Sequence, residues 1–457
     1  MTPRRTFVWA LVASATALGG RVASAQPNVV APGALAGALA PSARLNAALL
    51  AARVPLPRGV TATALAGHQM LPPNARDIAS FSYDGPRFIE VKPLTPMKAG
   101  QKPKFDTVAF LDGLANALKG RVAGYAMATQ RGALGIGKPK LLLTRDNARR
   151  AGDGALAWDG DARMHIASVS KLLTAMAVVK ALDAKGLPLD TKISAYLPTY
   201  WSQGANVDKI TFRQLLTQSS GFVSGTSQTD YAFMKGKVAQ GVTTTGDNAV
   251  GTYHYENMNT GLCRVLLPVL QGKIARGQDF QNVTPDEKDK LWDAITLYYY
   301  RDWMQDAILT PSGVENAGFA PIKGQENALA YGFPAGSTGW DSGDISWAAG
   351  GAGWRLSVDE LLDVMSTWAD TDKILPRAKT RAALDQGLGL DVVADTPVGR
   401  YYNKNGLWQN GDRREQCVAY FLPNNLQFVL FVNSGVDADN KFLRDIVDKA
   451  FQGAIKS

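Results

Sequence analysis

Apolar residues recur at helical spacing in "DTVAFLDGLANALKG", where Val108, Leu111, Leu114, Ala115 and Leu118 share one face, Asp106 and Thr107 cap the start and Gly120 stops the run. A second stretch, Ser168 to about Lys185, carries Met176, Val179 and Leu182 on a buried stripe and ends at Gly186 and Pro188. "DKITFRQLLTQSSGF" reads as a helix capped by Thr211 and stopped near Gly221, followed by "ENMNTGLCRVLLPVLQGK" and "LWDAITLYYYRDWMQDAIL". Strand-like runs stand outside this helical block. "RVAGYAMATQ" and "PKLLLTRD" lie before it, joined by a Gly-rich turn, and "QCVAYFLP" and "LQFVLFVNS" lie after it. "GGAGWRLSVDELLDVMSTW" is a Gly-rich lead into a helix, and "NKFLRDIVDKAFQGAI" is an amphipathic final one.

Strands near both ends with helices between them predict one sheet assembled from both ends of residues 106–457, with a helical lobe of about 168–340 inserted. Residues 26–105 are rich in Ala, Pro and turn formers, as in "LPPNARD" and "VKPLTPMKAGQKPK", and read as an extension that wraps or leads into the core. Residues 1–25 have a basic start, an apolar stretch too short to span a bilayer with flanks, and Ala23-Ser24-Ala25 as a small-residue cleavage signal. They read as a removed export peptide, which places the mature chain in the periplasm or outside the cell, with no integral membrane segment. Arg4-Arg5 before Thr6-Phe7-Val8 resembles the twin-arginine pattern, and an ordinary basic n-region supplies the same two residues.

Hydrophobic content of 46% and charged content of 19% describe an ordinary globular chain. Of the net charge of +9, Arg4, Arg5 and Arg21 belong to the export peptide, which leaves +6. No basic run interleaved with aromatics provides a nucleic-acid footprint, so the excess suits anionic envelope polymers or acidic small molecules better. Cys263 and Cys417 are the two cysteines, and they fall on segments read as different lobes. With three histidines they give no usual metal-ligand spacing, so neither metal nor cofactor is expected.

Ser168 and Lys171 stand three apart at the start of their helix, so both project from its first turn, a geometry open to a nucleophile and its base. The plain alternative is an N-cap serine beside a solvated lysine. Among the histidines, His68 lies in the extension, His165 precedes the helix and His254 adjoins Tyr255 in a loop; each suits packing or surface polarity, and no G-x-S-x-G elbow offers a Ser-His-Asp arrangement. The base is therefore an amine or a phenolate. Burial between lobes and the positive end of the helix both disfavour a charged Lys171.

Three signals, "SVSK" with Ser168 and Lys171, "YEN" with Tyr255 and Asn257, and "KNG" with Lys404, Asn405 and Gly406, occur in an order that resembles serine hydrolases related to penicillin-binding proteins and class C β-lactamases. "ITFRQLLTQSSGF", "TPSGVENAGF" and "GGAGWRLSVDELL" are similar to that family's flanking segments, and the resemblance covers roughly residues 106–457. It implies an α/β (α+β) fold with an antiparallel sheet flanked by helices and an inserted all-helical lobe. It also implies acyl transfer through an acyl-serine at Ser168, on an amide or ester bond of a small-molecule or peptide substrate. Lys171 and Tyr255 would share the proton traffic, and the cations would favour a tyrosinate. Asn257 would hold the substrate amide and Lys171; Lys404 and Asn405 would attract a substrate carboxylate; Gly406 would admit the substrate closely; and the backbone N–H groups of Ser168 and Leu407 would form the oxyanion site. Two departures bear on the substrate: Asn405 where the family commonly has Thr, and Gln218 where it often has His. The competing reading is a catalytically weak penicillin-binding or envelope-binding module on the same fold.

Overall fold

The computed structural model describes residues 41–70, 79–80, 83–94, 100, 102–131, 140–225, 227–322, 327–334, 338–437 and 442–456. Residues 1–25, read as an export peptide, and the Gly-rich turn after Arg131 lie outside the described residues. Thirteen strands are described: β1 (Ala79–Ser80), β2 (Phe88–Glu90), β3 (Lys104–Phe105), β4 (Gly124–Arg131), β5 (Leu141–Arg149), β6 (Leu156–Ala157), β7 (Met164–His165), β8 (Arg355–Leu356), β9 (Val392–Asp395), β10 (Tyr401–Asn410), β11 (Arg413–Leu422), β12 (Leu426–Val432) and β13 (Ile455–Lys456). The main sheet runs β2-β9-β10-β11-β12-β4-β5-β6, with β1 also paired to β10. Strands from both ends of the chain meet where β12 lies antiparallel to β4. The sheet is antiparallel except where β2 runs parallel to β9.

Successive strand residues face opposite sides of the sheet, so strands apolar at both parities are covered on both faces. Cys417, Ala419 and Phe421 of β11 join the core of the helical block with Ala126, Ala128, Val429 and Phe431. Val418, Tyr420 and Leu422 join Met127, Phe428 and Leu430 under the helices Thr107–Leu118 and Leu443–Gly453. The fold class is thus the one the sequence implies.

Two local expectations need correction. Val108 is 67% exposed; the buried face of Thr107–Leu118 is Phe110, Leu111, Leu114 and Leu118, because the helix sits on the sheet through the Phe110 side. The helix after Thr211 spans Phe212–Leu216 alone, since Gln218 takes a left-handed φ of 56° that breaks the ladder well before Gly221. Cys263, on the helix Cys263–Leu270, and Cys417, on β11, are both free and buried.

The 26–105 stretch is more than a leader in its described parts: it contributes β1 and β2 to the main sheet and the helix Pro41–Ala52. Arg87 enters the body of the molecule, donating to the carbonyls of Thr217 (2.6 Å), Gly387 and Leu390 (3.4 Å). His68 meets Asp293 at 2.8 Å, and Asp293 also pairs with Arg264, itself wholly buried. Burial pushes the Asp293 carboxyl up, but Arg264 and His68 outweigh it and hold the group below the usual carboxylate range. Its contribution to stability is therefore lost as pH falls through that depressed value. Asp293→Ala should cost about 3–5 kcal/mol in chemical denaturation at neutral pH, because it strands Arg264 uncompensated; a loss under about 1 kcal/mol would show that this pair does not pin the extension.

Candidate active site

Ser168 lies in a single 3-10 turn, Ala167–Val169, and the α-helix starts after it, at Ser170–Ala184. In place of a continuous α-helix from Ser168, a 3-10 turn leads into it, and Ala167, at a φ of 46°, marks where the helical chain can begin. The three-residue offset still brings the two side chains together: Lys171 Nζ is 2.9 Å from Ser168 Oγ, and both residues are 1% exposed. Lys171 also donates to Asn257 Oδ1 (2.6 Å) and to the Gly351 carbonyl (2.7 Å). Both are acceptors only, so they take two N–H groups. In an uncharged amine the lone pair then remains for the Ser168 hydroxyl. Burial, followed by repulsion from Lys404, lowers the Lys171 pKa well below its ordinary value, against the pull of Asp391 and Glu256. No carboxylate contacts this amine among the described residues.

The "YEN" segment is fixed by the residue that departs from the family pattern. Gln218 Oε1 accepts from Glu256 N and from Asn259 Nδ2, each at 2.8 Å, so its left-handed backbone and its carboxamide together set the start of the helix Asn257–Gly261. Glu256 turns away from Ser168 to bind Ser224 N at 2.8 Å, with His254 3.2 Å away. Tyr255 turns toward the serine, and its phenol is a hydrogen-bond partner of Ser168. The ammonium of Lys404 lies 3.4 Å from the Tyr255 hydroxyl, and the two amines flank the Tyr255 ring at 5.1 Å (Lys171) and 4.8 Å (Lys404). The expected tyrosinate is not supported. Burial and then Asp391 push the Tyr255 phenol well above its ordinary pKa, outweighing the Ser168 hydrogen bond.

Asp391, which carried no motif in the sequence, lies at the centre of the third signal. It forms a buried ion pair with Lys404, while its Oδ2 accepts from both the backbone N and the side-chain Nδ2 of Asn405, each at 2.9 Å. The "QGLGLDVV" stretch that delivers it reads as an ordinary turn into a strand, so only the pairing of β9 with β10 reveals its place. Burial lowers the Lys404 pKa despite the attraction of Asp391. Gly406 is required sterically: a methyl there would stand 2.5 Å from the Ile166 carbonyl and 3.2 Å from Ser168 N. β10 thus lies directly against the serine backbone, with Leu407 the next residue along.

His165 is a structural residue. Its Nε2 accepts from Gly353 N at 2.9 Å, which leaves the proton on Nδ1, 3.3 Å from the Glu415 carboxyl. Burial and then Arg355 lower its pKa well below 6.5, and burial pushes Glu415 up to about 8. This uncharged pair anchors the loop whose Gly351 carbonyl holds Lys171. His68 and His254 are likewise engaged away from Ser168. Among the described residues, no cluster of three or more His, Cys, Asp or Glu side chains is arranged to hold a metal.

Lys404 Nζ, the Tyr255 hydroxyl, Ser168 Oγ and Lys171 Nζ stand in one polar chain, and once Lys171 is uncharged its lone pair is free to accept the Ser168 proton. Such a chain can take a proton from the serine on one side and give one to a departing group on the other.

Solved structures share this architecture. A penicillin-binding protein homologue from Pyrococcus abyssi superposes with a TM-score of 0.55 at 15% identity, covering 76% of each chain. D-amino acid amidase from Ochrobactrum anthropi SV3 gives 0.54 at 16% identity, covering 76% of this chain and 97% of the amidase. The β-lactamase/D-alanine carboxypeptidase from Pseudomonas syringae gives 0.55 at 15% identity, covering 76% and 97%. None of the curated proteins matches this sequence. Residues 127–450, well over half of the chain and inclusive of Ser168, Lys171, Tyr255 and Lys404, match the Beta-lactamase family, and the chain belongs to that family of serine hydrolases.

Proposed function

We propose that the chain is an exported serine hydrolase that opens ester or amide bonds through an acyl-enzyme on Ser168. One observation carries the reading: Lys171 Nζ lies 2.9 Å from Ser168 Oγ while its other two hydrogen-bonding directions end on acceptors that cannot supply a proton. Lys171 takes the serine proton as Oγ attacks the carbonyl carbon. The uncharged Tyr255 phenol passes a proton to the departing alcohol or amine and is resupplied from Lys171. The N–H groups of Ser168 and Leu407, brought together at Gly406, receive the oxyanion. Water then enters in place of the leaving group and the same groups run in reverse. Asn257 orients Lys171 and receives the substrate amide.

The structural neighbours include an amidase and a β-lactamase/carboxypeptidase, which supports a carbonyl substrate of this general kind. Asn405 in place of the family's hydroxyl puts esters and D-amino-acid derivatives ahead of β-lactams. Export rests on residues 1–25 alone.

Ser168→Ala should abolish covalent labelling by a fluorophosphonate, and Lys171→Ala should slow acylation on the order of a thousandfold. Full labelling of the first variant would place the nucleophile elsewhere, and a loss of only a few-fold in the second would remove Lys171 as the base. A labelled protein with no turnover of nitrocefin, a D-Ala-D-Ala peptide or short p-nitrophenyl esters would instead favour the binding-module reading.

The pH profile has a determined sign. Since the base must be uncharged, kcat/KM should fall as pH drops through the lowered Lys171 pKa and level off above it. Lys404→Met removes a like charge and leaves Asp391 unopposed, so the acid limb should move to higher pH; a limb that stays put or moves down would contradict the assignment. For export, N-terminal sequencing of the protein recovered from the periplasm or medium should begin at Gln26, and an intact Met1 terminus in the cytoplasm would contradict it.

A further inference from the structure

The rim of the site is built against anionic substrates. Asp391 is 2% exposed and Lys404 1%, so the charge that would draw a substrate carboxylate is already neutralised inside the protein. Asn405 is engaged by the same carboxylate through its backbone N and its Nδ2. That contact fixes the orientation of the carboxamide and leaves Oδ1, a pure acceptor, buried without a partner among the described residues. Arg87, the other nearby cation, is directed to three backbone carbonyls.

The neighbouring surface has the same character. Asn405, Gly406 and Leu407 line a cavity of about 220 Å³ with Tyr83, Val418 and Phe442, and the carboxylates of Asp84 and Asp445 stand at it. Among the described residues lining it, the cation is Arg444, which is paired with Asp448 at 3.2 Å. The free edge of β10 is also short. Among the described residues, β9 pairs with Tyr401–Asn403 and β1, from the extension, with Trp408 and Gln409, so the strand ladder on that edge is interrupted at Lys404–Leu407, where Asn405 N is bound to Asp391. Four residues span roughly 13 Å, room for a small acyl group and too little for a long peptide laid in as an added strand.

We infer that the site takes small uncharged acyl donors, simple esters or amides without a carboxylate near the scissile bond, and that Asp391 sets this preference by neutralising Lys404 and turning Asn405 away. The inference rests on the hydrolase reading of Ser168. Asp391 is a positioning residue: in the reaction Ser168 Oγ bonds to the carbonyl carbon, its proton passes to Lys171, and the C–O or C–N bond breaks as the leaving group takes a proton from Tyr255 and departs as alcohol, phenol or amine, with Asp391 touching none of these atoms.

The test compares p-nitrophenyl butyrate with mono-p-nitrophenyl glutarate, which adds a carboxylate to a chain of similar length. The wild-type protein should favour the uncharged ester in kcat/KM by tenfold or more. Asp391→Asn should shrink that ratio at least tenfold, with the change mainly in KM for the anionic ester and weakened by added salt. A general loosening of the fold would lower both esters together and leave the ratio intact. Equal or faster use of the anionic ester by the wild type overturns the inference without any variant, and so does an unchanged ratio in a folded Asp391→Asn protein. Failure of both esters together with absent fluorophosphonate labelling of Ser168 is a different result, and it overturns the hydrolase reading beneath.

Discussion

A primary amine buried to 1% exposure, with no carboxylate in contact among the described residues, has its charged form strongly disfavoured by desolvation, so it releases its proton more readily than an exposed lysine. The rest of the site is arranged around that amine. Asn257 and the Gly351 carbonyl satisfy two of its hydrogen-bonding directions and aim the third at Ser168. Lys404, near enough to repel and itself compensated by Asp391, strengthens the tendency without demanding a further counter-charge. A group that is strongly basic and charged in water thereby becomes a usable acceptor for a serine proton at a pH well below the ordinary lysine range.

The fold supplies this arrangement from distant parts of the chain. The helix Ser170–Ala184 delivers Lys171 from the helical block, the turn before Asn257 delivers Tyr255, and β10 delivers Lys404 from the sheet. Two glycines allow the pieces to close. A side chain at Gly406 would collide with the Ile166 carbonyl, and one at Gly351 would stand 2.9 Å from the Asn257 carbonyl. Behind them, the uncharged His165–Glu415 pair anchors Gly353, and Thr174 binds the Gly350 carbonyl at 2.7 Å, so the loop that holds the amine is itself held from both ends.

Much of this was legible in the sequence, and the reasons differ by residue. Ser168 and Lys171 were visible because a helical offset of three is local, and the sheet strands because their apolar runs are bounded by turn residues. The order of the three short motifs then joined segments that no local rule could join. Asp391 was invisible, since a lone aspartate after "GLGL" has no signature until β9 pairs with β10. The neutral state of Tyr255 was also missed: counting nearby cations favoured a phenolate, while burial, which the sequence does not quantify, outweighs them. Gln218 appeared as a departure from a pattern, and only its position shows that its carboxamide orders the Tyr255–Asn257 segment.

The most direct measurement of the central claim is the protonation state of Lys171 itself, followed by NMR of the resting protein carrying isotope-labelled lysine, with the signal assigned by its loss in Lys171→Ala. An amine that takes up its proton only well below the ordinary lysine range is the expected result. An ammonium that persists to pH 10 would contradict the account, because no other group in contact with Ser168 would then be free to accept its proton.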